Sequence, residues 1–319
     1  MSDFLLHKSP DKARIYAEPP GIRYSDELRR WFVTAPELIR EVLYDDNYVV
    51  PGVNLTEFTE HLGLDLETVT GVIDWAPLVH EGDKHKLRRE QLARLIARNN
   101  AAALEAISAE LERRLAGVAD LPAGQTFCLY STVVRPVMIS GLLRLADVTL
   151  SLDIPFETLP QMLDQALPVS RRKKINALTR RILDEMPAEL SYDEKHVRSV
   201  IVALGVNTLL GSVCLSLVHI AQMNPGVKLS EMDWPADLPC TAVPHVERRA
   251  LADCRLGAMD IRSGDIVRVF LESAGLAPDG TWRYSDVFFA LGSHKCVGLN
   301  FSRQTWTRFV AGISTVDRP

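Results

Sequence analysis

The segment from Lys195 to Met223 constrains the fold of this chain more than any other feature. It is the longest periodic apolar stretch among the 319 residues, and it is apolar on every side of a helix. A surface helix keeps one polar face, so we expect this segment to run through the core. Apolar residues make up 47% of the chain and charged residues 24%, which is enough for one large core or two smaller ones.

Apolar residues recur at helical spacing in other segments as well. Residues 35–45 and Val133–Leu145 each predict a helix, and Lys84–Ala119 predicts two successive helices. The basic run Arg171–Lys174 predicts a loop or a solvated helix face. Residues Cys254–Leu271 alternate like a short hairpin. We therefore predict a mainly α protein with a small β element, formed as a single domain over residues 1–319.

Charge and cysteine usage exclude several classes of protein. The net charge is only −5, which gives no reason to expect a nucleic-acid partner. The first residues lack an apolar signal sequence, and no stretch offers the roughly 18 uncharged apolar residues of a membrane span. We therefore expect a cytoplasmic protein with no membrane partner. Five scattered cysteines without a C-x-x-C pair argue against a disulfide framework and a structural zinc site.

Cys296 has a neighbourhood unlike that of the other cysteines. It stands between Gly292 and Gly298 at the start of an apolar helical segment, with His294 and Lys295 beside it. Glycines permit turns and let backbone come close to a flat, bulky group. The helix dipole and the nearby cations favour a thiolate. The pattern therefore predicts a sulfur that binds a metal or attacks a substrate.

This stretch resembles the heme-binding signature of the cytochrome P450 family, F-x-x-G-x-H/R-x-C-x-G followed by a later arginine. Its fixed positions are all met, by Phe289, Gly292, His294, Cys296, Gly298 and Arg303. The resemblance implies a trimmed P450-like helical fold that binds heme b, iron protoporphyrin IX. It further implies that the Cys296 thiolate ligates the iron, and that the residues contacting the heme include Phe289, Gly292, His294 and Gly298.

Further segments fall where the family would have them. His85 and Arg89 are spaced i, i+4 in a segment that resembles the family's heme-edge helix. Arg248 resembles the family's other arginine for the heme propionates, since buried carboxylates need cations. Gly205, Asn207 and Thr208 resemble the family's catalytic segment on the distal side of the heme, where they would position water and oxygen.

The sequence departs from the family pattern in its structural supports. Asn207 replaces an acid, and an amide cannot relay a proton by ionising. The stretch Glu231–Pro244 lacks the family's E-x-x-R pair, and its prolines disfavour a helix. The loop at residues 275–284 is compressed, and the family's C-terminal hairpin is missing after Arg303.

The resemblance, which covers about residues 30–311, leads to one main functional interpretation and three alternatives. The main one is a monooxygenase that oxidises a small organic substrate, of the kind found in secondary metabolism, with dioxygen and electrons from a ferredoxin and its reductase. A homodimer or a partner subunit would support the trimmed fold. The first alternative is a redox-neutral heme-thiolate enzyme, such as an isomerase, dehydratase or group-transfer enzyme. The second is a non-catalytic heme-binding sensor or partner subunit, and the third is a cysteine-nucleophile enzyme.

Overall fold

The structure, a computed structural model, describes residues 19–53, 59, 63–122, 125–164, 167–271 and 287–316. The chain divides into two compact units. The first unit comprises Met1–Gly52 and Asp237–Cys296, and the second comprises Val53–Ala236 and Val297–Pro319. Their boundaries do not test the prediction of one heme-binding domain over residues 1–319, which stays a prediction.

The first unit is built around a five-stranded sheet. Its strands are β1 (Ile22–Ser25), β2 (Arg30–Val33), β3 (Tyr48–Val49), β4 (His245–Ala250) and β7 (Ile266–Phe270). They lie in the order β1-β2-β7-β4-β3, where β2 and β7 pair in parallel and the other neighbours are antiparallel. A core behind the sheet contains Val33, Val267 and Val269, all fully buried.

One helix and one hairpin complete the described part of the first unit. Helix α1 (Pro36–Tyr44) begins with proline at its first position, as a helix N-terminus favours, and it buries Ile39 and Val42 in the same core. Strands β5 (Cys254–Leu256) and β6 (Met259–Ile261) form a hairpin, so the predicted hairpin over Cys254–Leu271 is correct for its first half, whereas β7 in its second half belongs to the five-stranded sheet. Strands β1, β2 and β3 were not predicted, because segments of two to four residues are too short to show a period.

The described part of the second unit consists of helices and the loops that connect them, without a strand. Short 3-10 turns lie at Pro77–Val79, Phe156–Leu163 and Leu229–Glu231. The α-helices are α2 (Glu67–Trp75), α3 (Gly82–Ala119), α4 (Arg135–Ala146), α5 (Val169–Glu185), α6 (Tyr192–Gly205), α7 (Gly211–Met223) and α8 (Leu299–Ile313). The prediction of a mainly α fold with a small β element is confirmed.

Helix α3 corrects the prediction of two successive helices between Lys84 and Ala119. The segment forms one helix of 38 residues. No proline interrupts it, and its buried residues keep one register from Leu92 through Leu104 to Val118. Periodicity alone cannot tell one long helix from two collinear ones, which explains the error.

The long apolar segment is a single continuous helical rod, as predicted. Helix α6, a π-helical turn at Val206–Leu210 and helix α7 follow one another without a break from Tyr192 to Met223. A capping box at Ser191 and Glu194 fixes where the rod begins. The expectation that no stretch is long and apolar enough for a membrane span is wrong, because by length and composition this segment could cross a membrane; 67% of its most apolar window is buried inside the protein. The core helix of a soluble protein passes the same test, so the rod is only a weak sign of a membrane.

Two further predictions concern the surface and the missing E-x-x-R pair. The basic run at residues 171–174 lies on helix α5, where Lys173 and Lys174 are exposed but Arg172 is buried. Residues 232–244 form no helix. The absence of a helix from these residues agrees with the prediction that the prolines disfavour one.

Candidate functional site

The loop that carries Cys296 is held in shape by its own backbone. Short 3-10 turns at Val287–Phe289 and Gly292–His294 precede the cysteine. The Cys296 backbone N–H donates to the Phe289 carbonyl oxygen at 2.7 Å, and the Lys295 N–H donates to the Gly292 carbonyl at 3.2 Å. The Cys296 side chain is exposed. The loop therefore presents a sulfur to its surroundings from a backbone whose position is fixed.

Backbone conformation and a close backbone contact both require glycine at position 292. Its φ is +67°, which is the left-handed region that favours glycine. A Cβ at this position would also lie well under 3.0 Å from the Leu43 carbonyl oxygen at the end of helix α1. The close approach at Gly292 is therefore to backbone of the same unit, and the predicted approach to a flat group stays a prediction.

Arg248 lies in strand β4 and is 4% exposed. Its Nη1 donates to the carbonyl oxygen of Glu247 at 2.8 Å. The Glu247 side chain is paired with two other cations, Arg268 at 2.8 Å and Arg30. The carboxylate nearest in sequence is therefore already neutralised.

The first turns of helix α3 place His85 and Arg89 on one face of the second unit, as their spacing predicted. His85 is 5% exposed and Arg89 is half-buried. The arginine between them behaves differently. Arg88 stacks on the ring of Trp75, with its guanidinium carbon 3.3 Å from the ring centroid, and lies 3.6 Å from an Asp74 carboxylate oxygen. Arg88 is therefore a structural partner of helix α2.

The predicted catalytic segment coincides with the π-helical turn Val206–Leu210. The Thr208 hydroxyl is exposed and donates to the Leu204 carbonyl at 2.8 Å, as the sequence suggested for a threonine that loosens a helix. Gly205 and Asn207 are half-buried. A Cβ on Gly205 would come within 2.8 Å of a Leu142 methyl on helix α4. Single π turns are frequent at functional sites because they re-aim the side chains that they carry.

Gly298 is the residue that precedes helix α8. It has φ −87°, so its conformation is open to other residues, and its carbonyl accepts the first bond of the helix from Ser302 N–H at 2.9 Å. The arginine of the signature, Arg303, follows on the same helix.

The predicted residues thus fall into two groups. In the first unit the structure brings Phe289, Gly292, His294 and Cys296 together in one loop, and it places Arg248 on strand β4 of the same unit. The second unit carries His85 and Arg89 on α3, the π turn with Gly205, Asn207 and Thr208, and Gly298 ahead of α8.

Two features of these groups were not predicted. The π turn could not be predicted, because a single inserted residue leaves the apolar period almost unchanged. The role of Leu43, whose carbonyl demands a glycine at 292, depends on a long-range contact that no local pattern contains. Among the described residues, no group of three or more His, Cys, Asp or Glu side chains could hold a metal ion by itself.

Comparisons with known proteins place the fold. No protein-family profile matches the sequence, and no curated protein matches it. Many solved structures do match. The chain is similar to CYP154C4 from Streptomyces sp. ATCC 11861, with a TM-score of 0.70 and 19% identity over 95% of this chain and 86% of that one.

Two further structures have the same architecture. CYP109B1 from Bacillus subtilis, described as a versatile cytochrome P450 enzyme, has a TM-score of 0.66 and 15% identity over 98% of this chain and 93% of that one. OxyC, a cytochrome P450 implicated in an oxidative C–C coupling during vancomycin biosynthesis, has a TM-score of 0.66 and 18% identity over 95% and 85%. The chain therefore has the cytochrome P450 fold.

Proposed function

We propose that this chain is a heme-thiolate monooxygenase that oxidises a small organic substrate with dioxygen and electrons from a ferredoxin-type protein. One observation carries the proposal. The exposed sulfur of Cys296 stands on a loop closed by the 2.7 Å bond from its own N–H to Phe289, within a complete heme-binding signature and a P450 fold. A structurally similar protein, OxyC, is implicated in vancomycin biosynthesis, which favours a secondary metabolite as the substrate.

The chemistry of the available side chains fits heme b. A lone thiolate is the donor that P450-type heme iron takes from the protein. The heme's two carboxylates need cations, and we propose that buried Arg248 and His85, together with Arg89 and His294, would supply them. Phe289, Gly292 and Gly298 would shape the loop against the ring.

The π turn would organise water and protons beside the substrate. A bound heme with a thiolate ligand supplies the oxidation of the substrate by dioxygen. Since the Thr208 hydroxyl proton is directed to the Leu204 carbonyl, its oxygen is left to accept a hydrogen bond from water. The Asn207 amide can both donate and accept, so it can hold a water molecule in place without ionising. Gly205 would let helix α4 pack closely beside them, since a Cβ at this position would lie 2.8 Å from a Leu142 methyl.

We further propose that residues 1–319 form one heme-binding domain and that the protein is cytoplasmic. A homodimer or a partner subunit would replace the structural support that the E-x-x-R helix gives in the family. Its electrons would come from a ferredoxin and a ferredoxin reductase that dock on the side of Cys296.

The proposal is tested by oxygen consumption. Heme-loaded protein is mixed with NADH, a ferredoxin and its reductase, and a panel of small organic substrates. We expect substrate-dependent oxygen uptake that is lost in Cys296→Ser and kept in Cys128→Ser. Cys128 is a stringent control, because it is exposed like Cys296 and a hydrogen bond with Ser131 lowers its pKa. No oxygen uptake with any substrate would contradict the proposal.

Asn207 supports a second candidate function. An amide at this position removes the ionisable group that would deliver protons during reductive use of oxygen. A redox-neutral heme-thiolate enzyme, such as an isomerase, dehydratase or group-transfer enzyme, has no such need. Product formation under anaerobic conditions without a reductant would decide for this candidate.

A further inference from the structure

The basic run at residues 171–174 has no part in the proposed function. It begins helix α5, whose first turn contains no acidic residue and whose preceding residue, Pro168, makes no side-chain cap. Positive charge near a helix N-terminus opposes the helix dipole, and Arg171 and Lys174, three residues apart, repel each other. Arg171 and Arg172 do form hydrogen bonds, to Gln161 at 2.9 Å and to the Leu167 carbonyl at 3.1 Å, so the charges that helix stability does not explain are those of Lys173 and Lys174.

The cations of helix α5 differ in their surroundings. Arg180 pairs with Asp65 at 2.8 Å, and Arg181 pairs with Glu185 at 2.6 Å. Arg172 is 4% exposed and its Nε donates to the Leu167 carbonyl at 3.1 Å. Lys173 and Lys174 are exposed, and neither forms an ion pair with any residue that the structure describes. Two positive charges on the outer face are therefore available to a partner.

The arrangement of these lysines defines a surface. Residues in an α-helix advance by about 100° each, so Lys173 and Lys174 lie on either side of the line that joins Ser170 and Ala177. All four residues are exposed, and Val169, 39% exposed, lies at one end. We call this set, Val169, Ser170, Lys173, Lys174 and Ala177, the basic α5 surface. Its small central residues allow another chain to approach closely between two cations.

We infer that the basic α5 surface binds an acidic protein partner. The carboxylates of that partner would pair with Lys173 and Lys174, and an apolar side chain would contact Val169. The surface is positive on a chain whose net charge is −5, so it attracts an acidic protein locally while most of the molecule repels it. Such a distribution orients the encounter and selects one face of the protein.

Two other classes of partner fit the surface less well. Nucleic-acid binding commonly uses roughly six to ten phosphate contacts, and this surface offers two lysines. A helix that lies on a lipid surface inserts an apolar face, but Ile175 and Ile182 of helix α5 are buried in the second unit. An acidic protein needs only a few complementary charges around a small apolar contact.

The inference is tested with a fluorescent poly-L-glutamate peptide as the probe, by anisotropy at low salt on the full chain. The variant Lys173→Glu/Lys174→Glu should bind the peptide at least about tenfold more weakly, because attraction becomes repulsion. The matched control is Lys86→Glu/Arg94→Glu, which makes the same change in net charge at exposed positions of helix α3. The control should keep most of the affinity, and the neutral pair Lys173→Gln/Lys174→Gln should fall between the two.

Three results would overturn the inference. The first is an equal loss of affinity in the test and control variants, which would show only an effect of net charge. The others are tighter binding of duplex DNA, or of phosphatidylserine vesicles, than of the peptide through the same lysines. The inference is independent of heme, and the spectrum of the heme-loaded protein should be the same in all three variants. A failure to bind heme would be seen in the spectrum, whereas a failure of this inference would be seen only in the peptide binding.

Discussion

Gly292 illustrates how one residue can satisfy a sequence signature for a structural reason. In the sequence it belongs to the heme-binding motif, and its small size suggests the approach of a flat ligand. In the structure its φ is +67°, and the Leu43 carbonyl oxygen occupies the space that a Cβ would need. The glycine thus allows the cysteine loop to pack on helix α1. We infer that the loop keeps its shape through protein contacts alone.

This role predicts a large effect of Gly292→Ala on stability. Strain at positive φ costs about 1–3 kcal/mol, and the clash with a backbone oxygen adds to it because backbone cannot move aside cheaply. The control is Gly264→Ala in the same unit, with φ +90° and no atom within 4 Å of its Cβ position. Urea denaturation should show a clearly larger loss of unfolding free energy for Gly292→Ala. Equal losses would contradict the role of Leu43.

At the scale of elements, helices α4 and α8 each pack closely on helix α3 through a glycine. A Cβ at Gly141 of helix α4 would overlap the side chain of buried Ile107, and a Cβ at Gly312 of helix α8 would overlap Leu111. Both contacts bring a helix backbone close to the middle of α3. The glycines therefore set the distance between the helices of the second unit.

Glycine-to-alanine substitutions at two helical sites should therefore change the free energy of unfolding in opposite directions. Gly141→Ala should destabilise the protein by about 1–3 kcal/mol, because Ile107 has no room to move. Gly117→Ala, on the exposed side of α3 with no atom within 4 Å, should stabilise it by about 0.5–1 kcal/mol through helix propensity. Thermal and urea unfolding measure both. A stabilising Gly141→Ala would show that the helices are less closely packed than described.

The sheet of the first unit contains a charged cluster that makes its stability depend on pH. Burial raises the pKa of Glu247, but hydrogen bonds and charges from Arg268 and Arg30 outweigh this effect, so its pKa lies below the ordinary 4.5. A carboxylate with a lowered pKa stabilises the fold above its unfolded pKa. That contribution disappears as the pH falls through the folded pKa.

Glu247→Gln should therefore lower the unfolding free energy at neutral pH by about 1 kcal/mol, since the cluster is partly exposed. The difference from the natural protein should shrink as the pH falls below 4.5. Glu27→Gln, at an exposed turn position, is the control and should change little at any pH. Unfolding curves over a pH series measure this effect. If the difference in unfolding free energy between Glu247→Gln and the natural protein grew as the pH fell, the lowered pKa of Glu247 would be contradicted.

At the scale of the whole molecule, the sequence predicted the elements that repeat a period and missed those that do not. The rod from Tyr192 to Met223 and helix α1 were expected because apolar residues recur along them. Strands β1 to β3 were missed because each has four residues or fewer, and β2 and β3 also pair with strands that are distant in sequence. The prediction of two helices in place of helix α3 was wrong because two collinear helices have the same apolar period as one long helix.

The candidate site divides in a similar way. The Cys296 loop was recognisable because its residues are contiguous and chemically specific. The sequence could not distinguish the roles of Arg88 and Arg89. Arg88 stacks on Trp75, and such a role depends on which neighbour each side chain contacts in the fold. The π turn was also hidden from the sequence, since it depends on backbone geometry.

The central claim, that the Cys296 thiolate binds heme iron, is tested most directly by the absorption spectrum of the heme-loaded, reduced protein with carbon monoxide. We predict the long-wavelength Soret band of a thiolate-ligated heme in the natural protein and in Cys128→Ser, and its loss in Cys296→Ser. A Cys296→Ser protein with an unchanged spectrum and heme content would contradict the claim.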